Sequence, residues 1–203
     1  MYQKFYDIVN KLSNSMDREY EDFDTRLKYI KNNYAGDLMV RKELELSDGH
    51  QNRVNGLVEQ AGDDIEDTYE HTKERINRKF AYTTSRDNLP DIEVLKAIQL
   101  TRRDVEVMLE QYKGNYLALR LVAEAANSRG MAVTVPTLTS AYEYLETVRT
   151  VSDAIVGNCR NREDLAVYLN LKMLEDTIKV AEEALNRVVI GDLVQEMKER
   201  MKL

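Results

Sequence analysis

The sequence predicts an all-α protein: a long, antiparallel, coiled-coil-like helical hairpin over 1–84, then a compact helical bundle over 91–203. Three observations predict it. Only 8 Gly and 2 Pro occur in 203 residues, so few turns are forced. Glu, Lys, Leu, Ala, Arg and Met, which favour helix where packing does not decide, are abundant. Apolar residues recur in steps of three and four, whereas strand-like alternation is nearly absent, with MAVTV at 131–135 the best short candidate.

The first stripe is Phe5, Ile8, Val9, Leu12, Met16, Tyr20, Phe23, Leu27, Ile30 and Tyr34, one face of a helix with a near-heptad seam. Asp17, Arg18, Glu21, Asp22, Lys28 and Lys31 occupy the other face, and Gly36 breaks the pattern. A second stripe runs through Val54, Leu57, Val58, Ala61, Ile65, Tyr69, Thr72, Ile76 and Phe80. Gly56 and Gly62 interrupt it, each costing about 1 kcal/mol against Ala in a helix interior, and Asp63 with Glu66 offers a capping box. The second helix is therefore expected to begin near 50 or near 63, and GDLMVRKELELSDGHQ before it has no clear period. Two stripes of about 30 residues make rods of about 45 Å, with a narrow seam suited to pairing rather than enclosing a substrate.

The polar, Pro90-containing stretch 83–93 is the expected domain boundary. A short helix follows from Asp91. Thr101 with Asp104 caps the next, and Lys113, Gly114 and Asn115 make a turn. NYLALRLVAEAANSRG then forms a buried helix ended by Gly130. Beyond Pro136, Tyr142, Leu145, Val148, Ser152, Ile155 and Val156 trace an inner face that Gly157 and Asn158 close. Asn161 caps a last long helix whose stripe includes Leu165, Tyr168, Leu169, Leu171, Met173, Leu174, Ile178, Ala181, Leu185, Val188 and Val189, and LVQEMKERMKL finishes the chain.

Composition excludes several classes. One cysteine, Cys159, cannot form an internal disulfide. No apolar run approaches the ~20 residues that span a bilayer, and charges within the first seven residues argue against a signal peptide. A net charge of −7 argues against broad binding to nucleic acid or anionic lipid. The halves are alike, with 14 basic and 18 acidic residues in the first 90 and 15 and 18 in the rest.

Catalytic chemistry finds little support. His50, His71 and Cys159 do not form a metal-ligand pattern, though Asp67 and His71 are four apart. Glu143 with Glu146, Glu196 with Glu199 and Asp64 with Asp67 have the spacing used by helical magnesium-dependent pyrophosphohydrolases. Such a centre, however, needs carboxylates converging from two helices. Arg160 beside Cys159 is a weak activating feature, and no phosphate-binding glycine loop exists. The helix–turn–helix-like stretch 102–128 carries Arg120 on an otherwise apolar second helix, which suits a core better than a groove of DNA. The 12 Tyr against 3 Phe stand out, because Tyr2, Tyr6, Tyr20, Tyr29 and Tyr34 crowd the first helix and tyrosine favours interfaces.

LEQYKGNYLALRLVAEAA, with Tyr112, Lys113, Gly114, Asn115 and Tyr116 leading into an apolar helix after a charged hairpin, resembles small helical proteins encoded among the structural genes of phages and prophages of Gram-positive bacteria. The resemblance implies an assembly or accessory role in the virion or the bacterial host cytoplasm, and no catalytic residues. The expectation is a non-enzymatic interaction protein, a homo-oligomer or a binder of a viral or host protein. It needs no cofactor or metal and has no nucleic-acid or membrane partner. Its interface would be Phe5, Leu12, Tyr20, Phe23, Leu27, Ile30 and Tyr34. The alternatives are a magnesium-dependent nucleotide pyrophosphohydrolase using Glu143 and Glu146, and an acidic inhibitor or adaptor of a host protein.

Overall fold

The computed structural model describes residues 5–81, 89–159, 165–189 and 192–201. The expected cap Asn161, the N-terminal Tyr2 and most of the boundary stretch 83–93 lie outside them, as do the side chains of Leu165, Tyr168, Leu169, Val188, Val189, Glu196 and Glu199. The protein is all-α, a helical hairpin plus a bundle. Its helices are α1 (Phe5–Asn33), α2 (Gly36–Lys79), α3 (Ile92–Ala97), α4 (Arg102–Gln111), α5 (Tyr116–Asn127), α6 (Leu138–Asn158), α7 (Leu165–Val189) and α8 (Leu193–Arg200). The MAVTV stretch is not a strand, and no strand occurs among the described residues.

Gly36 is a hinge, not a lasting break. It takes φ +58°, a value an L side chain resists, so the chain reverses there and the next helix begins at once. That helix is not delayed to 50 or 63. It runs unbroken for 44 residues through Gly56 and Gly62. Tertiary packing supplies what the two glycines cost, because Val54, Val58, Ala61 and Ile65 beside them are buried.

The helix ends follow local chemistry. Asp91 caps α3 by accepting from the amides of Glu93 and Val94. Thr101 and Asp104 form the expected capping box on α4, and Asn115 caps α5. After α5, Gly130 at φ +80° allows the Met131 amide to reach the Ala126 carbonyl at 3.1 Å and its own amide to reach Asn127 at 3.0 Å, a Schellman ending. Thr137 and Ser140 cap each other's amides at the start of α6.

Two compact units divide the chain, Met1–Glu70 with Glu146–Glu182 and His71–Leu145 with Glu183–Leu203. Neither coincides with 1–84 or 91–203, because α2, α6 and α7 each contribute to both. In the first unit, Ile8, Leu12 and Met16 of α1, Val54 and Ile65 of α2, Val148 and Ile155 of α6, and Leu171 and Ile178 of α7 are buried. In the second, Val105, Leu109, Leu119, Val122, Leu145, Leu185, Val194 and Met197 are buried, and the Phe80 and Tyr116 rings meet edge to face at 4.8 Å. No helix among the described residues is long and apolar enough to cross a membrane.

Candidate functional site

The helical hairpin has a polar knot in its seam and an apolar end. The α1–α2 seam is closed by Glu19, whose Oε1 lies 3.0 Å from His50 Nδ1 and 2.8 Å from Arg53 Nε. His50 is buried, with the Phe23 ring 4.3 Å away in a tilted stack and the Tyr20 ring edge-on at 5.0 Å. The pairing of 19 with 50 and 53 sets the antiparallel register that brings Ile8 and Leu12 beside Leu57 and Ala61 around a small gap. The histidine–carboxylate pair is thus shut between the Tyr20 and Phe23 rings in the α1–α2 seam. His71, by contrast, is exposed.

The inner face of the first half of α2 is Met39, Glu43, Leu46, His50 and Val54, in steps of four, three, four and four. Its outer positions leave apolar side chains in water. Leu38 is 50% exposed, Val40 50% and Leu44 61%, and Tyr29 of α1 is 59% exposed, with its ring 6.3 Å from that of Tyr34. Val40 and Leu44 lie one turn apart on one face. Three neighbouring cations are paired: Arg26 with Asp22 at 2.9 Å, Lys28 with Asp24, and Lys42 with Glu45 at 2.7 Å. The Lys42–Glu45 hydrogen bond raises the lysine and lowers the carboxyl, so both stay charged through neutral pH. Glu43 Oε1 is shut from water and accepts no hydrogen bond among the described residues.

The seven expected interface residues divide. Phe5, Leu12 and Ile30 are buried at 0%, 3% and 8% exposure in the packing of the chain itself. Tyr20, Phe23, Leu27 and Tyr34 are half-buried, and the Phe23 ring is committed to His50. No period in the sequence assigns Leu38, Val40 and Leu44 to a face. The missed signal was the inner-face spacing, disguised by polar Glu43 and His50 at two of its positions.

A second polar feature lies on α7. Glu175 and Glu182, two turns apart, are 7% and 3% exposed. Glu182 straddles the start of α1, its Oε1 accepting from the Phe5 amide at 2.9 Å and its Oε2 from the Tyr6 amide at 3.1 Å. An anion is well placed there, against the positive end of the helix dipole and two otherwise orphaned N–H groups. Glu175 accepts from the Ser13 hydroxyl at 2.6 Å and from Lys172 at 3.0 Å. Met173, expected on the buried stripe, is 70% exposed instead.

One of the spaced carboxylates, Glu146, is engaged in a local network. Glu146 accepts the Tyr69 hydroxyl, and the Arg149 guanidinium lies 4.3 Å over the Tyr69 ring while pairing with Glu66 at 2.6 Å. Among the described residues no three of His, Cys, Asp and Glu gather as metal ligands would. Cys159 is fully buried at the end of α6 rather than presented in a turn. On α5, Arg120 is exposed, but Tyr116, Ala118, Leu119, Val122, Ala123, Ala125 and Ala126 are core. Comparison with known proteins finds no family model that matches the chain, no similar curated protein and no similar solved structure.

Proposed function

We propose that the protein is a non-enzymatic helical assembly protein that pairs with a second copy of itself through the hairpin end carrying Tyr29, Leu38, Val40 and Leu44. The single observation behind this is the exposure of those four large apolar side chains within 16 residues of sequence. Isolated exposed apolar groups are ordinary, but such a concentration favours association. Self-pairing is favoured by charge. The chain carries −7, whereas residues 24–45 hold five basic and four acidic side chains, so two hairpin ends approach without the repulsion the whole molecules feel. The half-buried Leu27 and Tyr34 extend the same end. The resemblance to phage and prophage structural proteins supports an accessory role in the virion or in head assembly within the bacterial host cytoplasm.

Size-exclusion chromatography with light scattering over a hundredfold range of concentration tests this. A defined oligomer is expected, and Leu38→Glu with Leu44→Glu is expected to dissociate it while the monomer keeps its helical circular dichroism. The control Met173→Glu, equally exposed on α7, keeps the native mass. A monomer at every concentration, or a tip variant that retains the oligomer, overturns the proposal.

A further inference from the structure

In the first unit, α7 carries polar and apolar residues on the faces opposite to those that solvation selects. Its core-facing line is Leu171, Glu175, Ile178 and Glu182, in steps of four, three and four, and the two carboxylates are 7% and 3% exposed. Its outer line is Met173, Thr177 and Val180, in steps of four and three, and all three are exposed. Met173 at 70% and Val180 at 69% are the most exposed large apolar side chains among the described residues. They lie two turns apart on one helix face, so they form a stripe. The Thr177 hydroxyl between them donates to the Met173 carbonyl at 2.9 Å and needs no acceptor from outside. Acids inside and apolar groups outside break the usual pattern, and such breaks mark surfaces with a use.

The charges beside the stripe identify its occupant. Asp176 and Lys179 are exposed on one flank, three residues apart, and neither makes an ion pair among the described residues. Lys172, further along that flank, is held by Glu175 at 3.0 Å. Between Lys172 and Val180 the outer face therefore presents one free acid and one free base, a balance in a chain whose net charge is −7. A second copy laid antiparallel across a two-fold axis near Thr177 places Met173 opposite Val180 and Asp176 opposite Lys179, each contact occurring twice. The same axis keeps the charged flank of one copy beside the charged flank of the other. Symmetry thus supplies both the apolar and the ionic complement, whereas an unrelated helix would have to match each separately.

We infer that the outer face of α7 pairs antiparallel with the same face of a second copy, a weak contact that links the oligomers formed at the hairpin ends. The linking rests on the hairpin-end reading; the pairing does not. Two large apolar side chains per copy bury too little for a stable dimer, so the contact forms only at high concentration, and Met173→Glu leaves the mass unchanged in dilute solution. Sedimentation velocity of the Leu38→Glu, Leu44→Glu protein from about 10 μM to about 1 mM isolates the α7 contact from the hairpin end. Monomer is expected at the low end and a growing dimer fraction at the high end. Val180→Glu is expected to weaken that dimer roughly tenfold or more, with helical circular dichroism unchanged. Asp176→Lys and Lys179→Asp each set like charges across the axis, and each is expected to weaken it by a similar factor. An equimolar mixture of those two variants, in which every facing pair is again of opposite sign, is expected to restore it. Monomer throughout, a dimer indifferent to Val180→Glu, or a mixture no more associated than its parts overturns the inference. A tip variant that stays oligomeric at the lowest concentration counts against the hairpin-end reading, and the mixture then decides the α7 contact by itself.

Discussion

Glu182 shows how much one side chain can organise. Its carboxylate satisfies two amides at the first turn of α1 from 176 and 177 residues away in sequence, and it does so while buried. Glu182→Ala leaves those donors dry and unpaired. The expected loss is about 2 kcal/mol or more, read as a lower urea midpoint at constant slope. Glu182→Gln keeps one acceptor oxygen and loses only the charge assistance, so its loss is expected to be smaller, about 1 kcal/mol. Equal losses for the two variants would show that charge, not shape, makes the cap. Thr101→Ala at the α4 capping box is expected to cost about 1 kcal/mol. The Thr101 side chain and backbone amide both donate to Asp104, at 2.6 and 2.8 Å, and hold its carboxyl below the usual value. A lowered carboxyl pKa means the ionised form belongs to the folded state. The Asp104 contribution is therefore complete above about pH 4 and disappears as pH falls through the lowered value. Melting temperatures of wild type and Asp104→Asn are expected to differ at pH 7 and to converge in stronger acid.

At the scale of elements, the hairpin separates its duties along its length. Near the start of α1, Phe5, Ile8, Leu12 and Met16 are buried. In the middle, Glu19, His50 and Arg53 set register. At the far end, apolar side chains meet water. Truncations should reproduce that gradient. Leu12→Ala is expected to cost about 2–5 kcal/mol and to leave oligomer mass unchanged at temperatures where the protein is folded. Leu44→Ala is expected to stay within about 0.5 kcal/mol in monomer stability and to weaken association. Paired denaturation and light-scattering measurements on the two variants check both halves. A Leu44→Ala protein that unfolds early would place that residue in the core instead of at an interface.

For the molecule as a whole, the division into units bears on how the chain can be cut. The unit containing the hairpin also needs Glu146–Glu182, which brings Leu171, Ile178, Glu175 and Glu182 to it. The fragment 1–84 keeps both hairpin helices but loses the Glu182 cap and the Ser13–Glu175 bond. A hairpin alone also buries little apolar surface. The isolated fragment is expected to show weak helicity by circular dichroism and to unfold without a sharp transition. Cooperative unfolding of 1–84 near the temperature of the full chain would mean that α7 contributes nothing to its stability.

The helical class, the two apolar stripes, the Thr101–Asp104 cap and the Gly130 ending are legible in local sequence. These depend on neighbours within a few residues, where backbone hydrogen bonding and 3.6-residue periodicity decide. Tertiary structure alone decided where polar residues sit inside those patterns. Glu43 and His50 interrupt the inner face of α2, and Glu175 and Glu182 the inner face of α7, so periodicity placed the start of α2 too late and passed over both glutamates. Three of them meet a partner distant in sequence: Glu19 for His50, Ser13 for Glu175 and the first amides of α1 for Glu182. Local patterns carry information about the backbone, while burial of charge is settled by which distant groups come within a few ångströms, where desolvation and pairing nearly cancel.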